Sequence, residues 1–273
     1  MTTTHKPTEG IDAMDIFAQL DEARRRTNVL EHHFYQRWSA GELRDGELAL
    51  YAGEYGHAVR ALAQASRLAA EQAAGGWASI HATGLARHAA EEESHVELWE
   101  QFARAVGPED AQPRLSDRRP RRPGAGSDSP DVPTEPLGCV TLVTESLGCS
   151  GVPLAQTRAC AQAWTAGEDL LERLAVLYTV EASQPAISTT KLEGLATHYG
   201  VPADSPGAAY FTLHAELDVE HARQARELIE QLLPEDAEER AAVGERMLAR
   251  AQAALDGNWQ LLDGVESQRP VTA

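Results

Sequence analysis

The sequence lacks most of what marks a membrane, secreted or nucleic-acid-binding protein. Although 42% of its 273 residues are hydrophobic, no stretch approaches the ~18 consecutive apolar residues of a transmembrane helix. Basic residues are outnumbered, 24 Lys and Arg against 42 Asp and Glu. The resulting net charge of -18 repels nucleic acid and anionic membrane surfaces alike, and it serves solubility. Cysteine is scarce: Cys139, Cys149 and Cys160 form no C-x-x-C pair and leave an odd count. That excludes a disulfide framework and a zinc site and fits a reducing compartment. The first residues, Met-Thr-Thr-Thr-His-Lys-Pro, carry no apolar segment of the kind a secretory signal needs, so a cytoplasmic location is expected.

Runs of β-branched residues are also missing. Alanine, leucine, glutamate and arginine dominate instead, and these favour helix throughout. Amphipathic stretches are predicted over 11–30, continuing to Trp38 and broken at Gly41, then over 45–74 up to Gly75-Gly76, and over 77–106. Further helices are expected over 157–166, over 168–182 with Pro185 as a stop, over 187–199, over 208–233 and over 235–262. Residues 112–136 differ in kind, with five arginines and six prolines, and are expected to form a mobile surface loop. The sum is an all-α bundle of seven or eight helices in a single domain spanning residues 1–273.

The sharpest chemical signal is the run Tyr210-Phe211-Thr212-Leu213-His214-Ala215-Glu216-Leu217-Asp218-Val219-Glu220-His221. At ~100° per residue, Asp218 lies ~40° around a helix from His214 and His221 lies ~20° the other way. Two imidazoles and a carboxylate on one stripe can bind a borderline metal such as iron, whereas Glu216 and Glu220 point elsewhere. Phe211 and Leu217 flank the stripe, which turns it inward. A second cluster holds His88, Glu91, Glu92, Glu93 and His95. Glu92 and His95 have the Glu-x-x-His spacing of carboxylate-bridged di-iron bundles. Geometry alone leaves Glu91 and His88 open as alternatives to Glu92 and excludes Glu93. The third piece is Glu181, which continues the apolar stripe of Leu174, Leu177 and Tyr178. A buried carboxylate needs a cation, either a metal or an arginine.

These residues resemble the heme-oxygenase-like di-iron oxidases, the iron-containing redox enzymes related to thiaminase II and pyrroloquinoline quinone synthase. The resemblance runs over about 28–233, excluding the Arg/Pro-rich segment. It includes His33-Phe34-Tyr35-Gln36-Arg37-Trp38, the Glu/His segment ending in Leu98-Trp99, and Tyr178-Thr179-Val180-Glu181-Ala182-Ser183-Gln184-Pro185. Thr190-Lys191 with Gly194-Leu195 and His198-Tyr199-Gly200 also belong to it, and the His-x3-Asp-x2-His run is its most specific element. It implies a seven-helix fold without heme. It further implies two irons held by Glu92, His95, Glu181, His214, Asp218 and His221, with dioxygen as co-substrate and an external electron donor for turnover. Family members oxidise amines, cleave C–C bonds or form terminal alkenes, acting on amino acids, amines, fatty acids or similar small molecules, often in natural-product pathways. The chain departs from one family pattern: some members carry a Glu seven residues before the first His, where this chain has His88.

Tyr178 and Tyr210 flank ligand positions and are expected to donate hydrogen bonds to them. Lys191 is read either as a binder of a substrate carboxylate or as a surface residue. The enzyme alternative is a metal-free thiaminase II-like protein with Cys160 as nucleophile. The non-enzyme alternative is a helical binding or regulatory protein. Either reading leaves the oligomeric state open, a homodimer included.

Overall fold

The computed structural model describes residues 16–107 and 152–269. They form helices and connecting turns, with no strand among the described residues. In chain order these are α1 (Ile16–Arg26), α2 (His33–Ala40), α3 (Asp45–Ala74), α4 (Ala82–Val106) and α5 (Ala155–Thr165). After them come α6 (Leu170–Glu181), α7 (Gln184–His198), α8 (Ala209–Leu232) and α9 (Ala237–Ser267). The all-α expectation holds. No helix among the described residues is long and apolar enough to cross a membrane.

Helix α6 is the axis around which the site is built. Every residue from Leu170 to Glu181 except Arg173 is buried, as expected of a helix that is apolar nearly all round. Its start is fixed by Asp169, whose carboxylate accepts the Glu172 N–H at 2.9 Å. Its last residue is Glu181, so the chain delivers one carboxylate into the interior and then turns. Pro185 does mark that boundary, but as a first-turn residue of α7, where its missing N–H costs nothing. Helices α8 and α9 pack on α6, α4 packs along α3, and α7 lies against α8.

Two close approaches hold α2 across α7. Gly41 ends α2 with φ +71°, a left-handed conformation that suits glycine. At Gly194 a Cβ would come within 2.5 Å of the Trp38 ring, so only hydrogen fits. The Trp38 indole N–H then donates to the Lys191 carbonyl at 3.3 Å. Trp38 thereby fixes the turn of α7 that carries Lys191.

The structure departs from the sequence reading at two helix starts. The stretch expected over 11–30 and on to Trp38 is split, and its residues 11–15 lie outside the described part. Asn28 accepts the Leu30 N–H at 3.1 Å and the His32 ring accepts the Phe34 N–H at 3.0 Å. The first bond caps a 3-10 turn at Val29–Glu31 that follows α1, and the second caps α2. The helix expected from residue 77 begins at Ala82, after a 3-10 turn at Ser79–His81, with Trp77 and Ile80 left exposed. The Arg/Pro-rich segment 112–136, Cys139 and Cys149 lie outside the described residues.

Candidate metal centre

Three helices bring the predicted donors together. Glu92 and His95 come from α4, Glu181 from the end of α6, and His214, Asp218 and His221 from one stripe of α8. All six are buried, and Glu181, His214 and Asp218 have no exposed surface at all. The i, i+4, i+7 arithmetic on α8 is thus realised with the stripe facing inward. Among the described residues no arginine partners Glu181; the basic group beside it is His88, with Nε2 at 2.9 Å from Oε1. His88, weighed only as a substitute for Glu92, joins Glu92 in the cluster. Its Nε2 is 3.8 Å from Glu92 Oε1.

The imidazole tautomers follow from what surrounds them. His214 Nδ1 lies 2.7 Å from the Tyr210 carbonyl, which can only accept, so Nδ1 carries the proton and Nε2 keeps its lone pair. His221 Nε2 lies 3.2 Å from Glu91 Oε2, again an acceptor, which leaves His221 Nδ1 turned toward the cluster. Each ring is therefore held from behind and presents its other nitrogen to the cluster. His95 Nδ1 stands 3.2 Å from Glu92 Oε1, and His221 Nδ1 stands 3.5 Å from both Glu92 Oε1 and Asp218 Oδ1.

Buried polar atoms are normally hydrogen-bonded. Here the exceptions among the described residues are concentrated at one place. Apart from Tyr55 Oη, Ser188 Oγ and Asn258 Oδ1, every buried side-chain N or O without a hydrogen-bond partner belongs to His88, Glu92, His95, Glu181, His214, Asp218 or His221. Unpaired carboxylates and imidazole nitrogens aimed at one another in an apolar interior are costly unless a cation sits among them. The donor set, nitrogen and oxygen without thiolate, fits iron.

The local electrostatics agree. Burial alone would raise Glu92, but His95, His214 and His88 outweigh it and hold the carboxyl below its usual range. Burial raises Asp218 and lowers His214. For His88, burial opposes the charge, yet the Glu181 carboxylate prevails and carries the imidazole up to about 9.

Two very different walls enclose the cluster. On one side a cavity of about 290 Å³ includes His88 and His221 among its lining, with Leu85, Leu174, Leu177 and Leu228. On the other side Tyr210 stacks on His214 (ring centroids 3.9 Å apart), Trp99 packs edge-on to Tyr210, and both rings are buried. Behind them lies Lys191, 1% exposed, which corrects its reading as a surface residue. Its Nζ sits 4.6 Å from the Tyr55 ring centroid, 5.1 Å from Phe211 and 5.2 Å from Tyr51, with Tyr35 and Trp99 slightly farther. The rings offer attraction but no counter-charge, and burial pushes the ammonium well below the ordinary lysine range.

Two tyrosine roles need correction. The Tyr178 hydroxyl donates to Asp21 at 2.9 Å, tying α6 to α1 and not to a ligand. Tyr210 acts on His214 through its carbonyl and its ring face. Cys160 is buried and burial pushes its thiol up, which removes it as a nucleophile. Glu91, open as a ligand in the sequence, is on the rim and orients His221 instead.

A family model described as iron-containing redox enzyme matches residues 88–255. The chain belongs to that family. This iron-containing redox enzyme is an oxidoreductase. A protein of Chlamydia trachomatis named 4-aminobenzoate synthase is 29% identical over 237 residues, covering 82% of this chain and 84% of that one. A Nitrosomonas europaea protein of the same name is 26% identical over 259 residues, covering 90% and 89%. Among solved structures, a TenA homolog from Pseudomonas syringae pv. tomato superposes with a TM-score of 0.64 at 15% identity, over 97% of this chain and 100% of that one. A domain with a heme oxygenase-like fold from Shewanella denitrificans gives 0.54 at 16% identity, over 94% and 95%. At such identities the structures attest the fold, which is the heme-oxygenase-like helical bundle.

Proposed function

We propose that this redox enzyme is a non-heme di-iron oxidase that uses dioxygen to form 4-aminobenzoate or a closely related small aromatic amine. The observation that carries the metal reading is the convergence of unpartnered buried donors from α4, α6 and α8. Glu92, His95, Glu181, His214, Asp218 and His221 would hold the irons. Their three carboxylates would offset the metal charge while the imidazoles tolerate a change of oxidation state. When bound, the irons would supply the redox chemistry by which dioxygen is activated. The protein's own part is to fix the imidazoles through the Tyr210 carbonyl and Glu91, and to admit small molecules along the cavity beside His88 and His221. Support for the product comes from the name shared by the Chlamydia and Nitrosomonas relatives.

The test begins with protein purified without oxygen and supplied with Fe(II). It should retain close to two irons per chain, consume dioxygen on exposure to air, and yield 4-aminobenzoate by mass spectrometry. Oxygen uptake without that product sinks the product assignment and keeps the oxidase. Absence of iron binding sinks both.

A further inference from the structure

The cluster holds one donor more than the six residues assigned above. Two groups of donor atoms lie within 4.8 Å of one another: His88, Glu92, Glu181 and His221 in one, and Glu92, His95 and His214 in the other. Only Glu92 is common to both. The His88 Nε2 is buried and has no hydrogen-bond partner, although Glu181 Oε1 is 2.9 Å away. The His88 ring lies against that of His221, with centroids 4.3 Å apart. Both rings line the cavity, whereas His95 and His214 do not; His214 is backed by Tyr210 and Trp99.

We propose that His88 is a seventh donor and that the centre consists of two unequal metal positions sharing Glu92. The outer position, facing the cavity, is held by His88, Glu181 and His221. The inner position, sealed under Tyr210, is held by His95 and His214. Asp218 Oδ1 lies 3.5 Å from His221 Nδ1, which places it with the outer position. The inference rests on the iron-site reading and deepens it. An imidazole at position 88 makes the outer position one negative charge poorer than a glutamate there would, so the chain favours the ferrous state at that position. The cavity also makes the outer metal the one that solutes reach first.

A rival arrangement gives the same 2.9 Å contact: His88 protonated and locked on Glu181 as its counter-cation, never touching metal. His88→Gln, His88→Ala and His88→Glu separate the two. Wild-type protein loaded anaerobically should lose iron to a chelator in two phases, a fast outer one and a slow inner one. His88→Gln and His88→Ala should hold about one iron and lose the fast phase, with at least a tenfold fall in affinity for the second Fe(II). Substituted Co(II) should report the missing nitrogen as a shift in its visible d–d bands. In His88→Glu the carboxylate can ligate, so the second iron should return. The metal-free form of that variant should melt earlier, because two carboxylates then face each other. If His88→Gln and His88→Ala keep two irons, both phases and the wild-type Co(II) spectrum, His88 is only a counter-cation and the proposal is overturned. Wild-type protein that binds no iron overturns the underlying iron-site reading as well, a result distinct from either variant outcome.

Discussion

The two sides of the donor cluster differ in almost everything except the residues they present. The outer side, His88 and His221, meets a cavity lined by leucines together with His81, Gln224 and Glu227, and its orienting carboxylate, Glu91, is partly exposed. The inner side, His95 and His214, is backed by fully packed aromatic rings, and its orienting group is a helix carbonyl. A carbonyl within α8 cannot leave without unwinding the helix, whereas a rim carboxylate can swing into water. Rigid support on one side and adjustable support on the other suit the proposed centre, which would have to keep its metals while small molecules come and go.

Removing an inner ligand should therefore have the largest effect. His214→Ala deletes a fully buried nitrogen whose tautomer is fixed by Tyr210. Iron content measured after anaerobic loading should fall sharply, by more than the tenfold typical of lost supporting contacts. The comparison breaks if His214→Ala retains as much iron as wild type, or if it loses less than the corresponding His221→Ala.

How much of this was legible in the sequence depended on the range of the interactions. Helix α3 falls on the expected residues because its signals are local, from Glu47 accepting the Arg44 N–H at its start to Gly75-Gly76 at its end. The α8 stripe was legible because helical period alone decides which side chains share a face. Glu181 was found through the apolar residues preceding it. The aromatic cage around Lys191 was not, since Tyr35, Tyr51, Tyr55, Trp99 and Phe211 come from four helices and no spacing rule links them. His88 stood in the sequence as a competitor of Glu92 because both share the face of His95. Only the packing of α4 against α8, with Glu181 at the end of α6 brought beside His88, shows room for both.

Lys191 sharpens the contrast from the inner side. A buried amine with ring faces and, among the described residues, no carboxylate beside it destabilises the fold, and an apolar residue of similar length should relieve that cost. Lys191→Met is expected to melt at or above the wild-type temperature while losing product formation, which would mark the amine as retained for function. The pH dependence has a definite sign. The folded-state pKa of Lys191 is depressed, so its penalty is full at pH values below that pKa. The penalty then shrinks as pH rises toward the value of an unfolded lysine. The advantage of Lys191→Met in thermal melts should accordingly diminish in alkaline buffer. A variant that is less stable than wild type at neutral pH, or whose advantage grows with pH, rules this account out.

The smallest expected effect is at the outer rim. Glu91 accepts the His221 Nε2–H at 3.2 Å and stands 3.8 Å from Arg87, with 42% of its side chain exposed. Losing a contact that orients a ligand typically costs 10–100-fold in metal affinity, and solvent screening should place Glu91→Ala at the low end, about tenfold. Glu91→Gln keeps an oxygen that can accept the same N–H, so its loss should be smaller still. Melting temperatures should hardly move in either variant, since partly exposed positions of this kind usually contribute within about 0.5 kcal/mol. The loss should be confined to the fast phase of chelator removal, because Glu91 touches His221 and neither His95 nor His214. Equal weakening of both phases would mean that the two metal positions are not supported separately. Unchanged affinity in Glu91→Ala would mean that His221 is held by the packing of α8 alone.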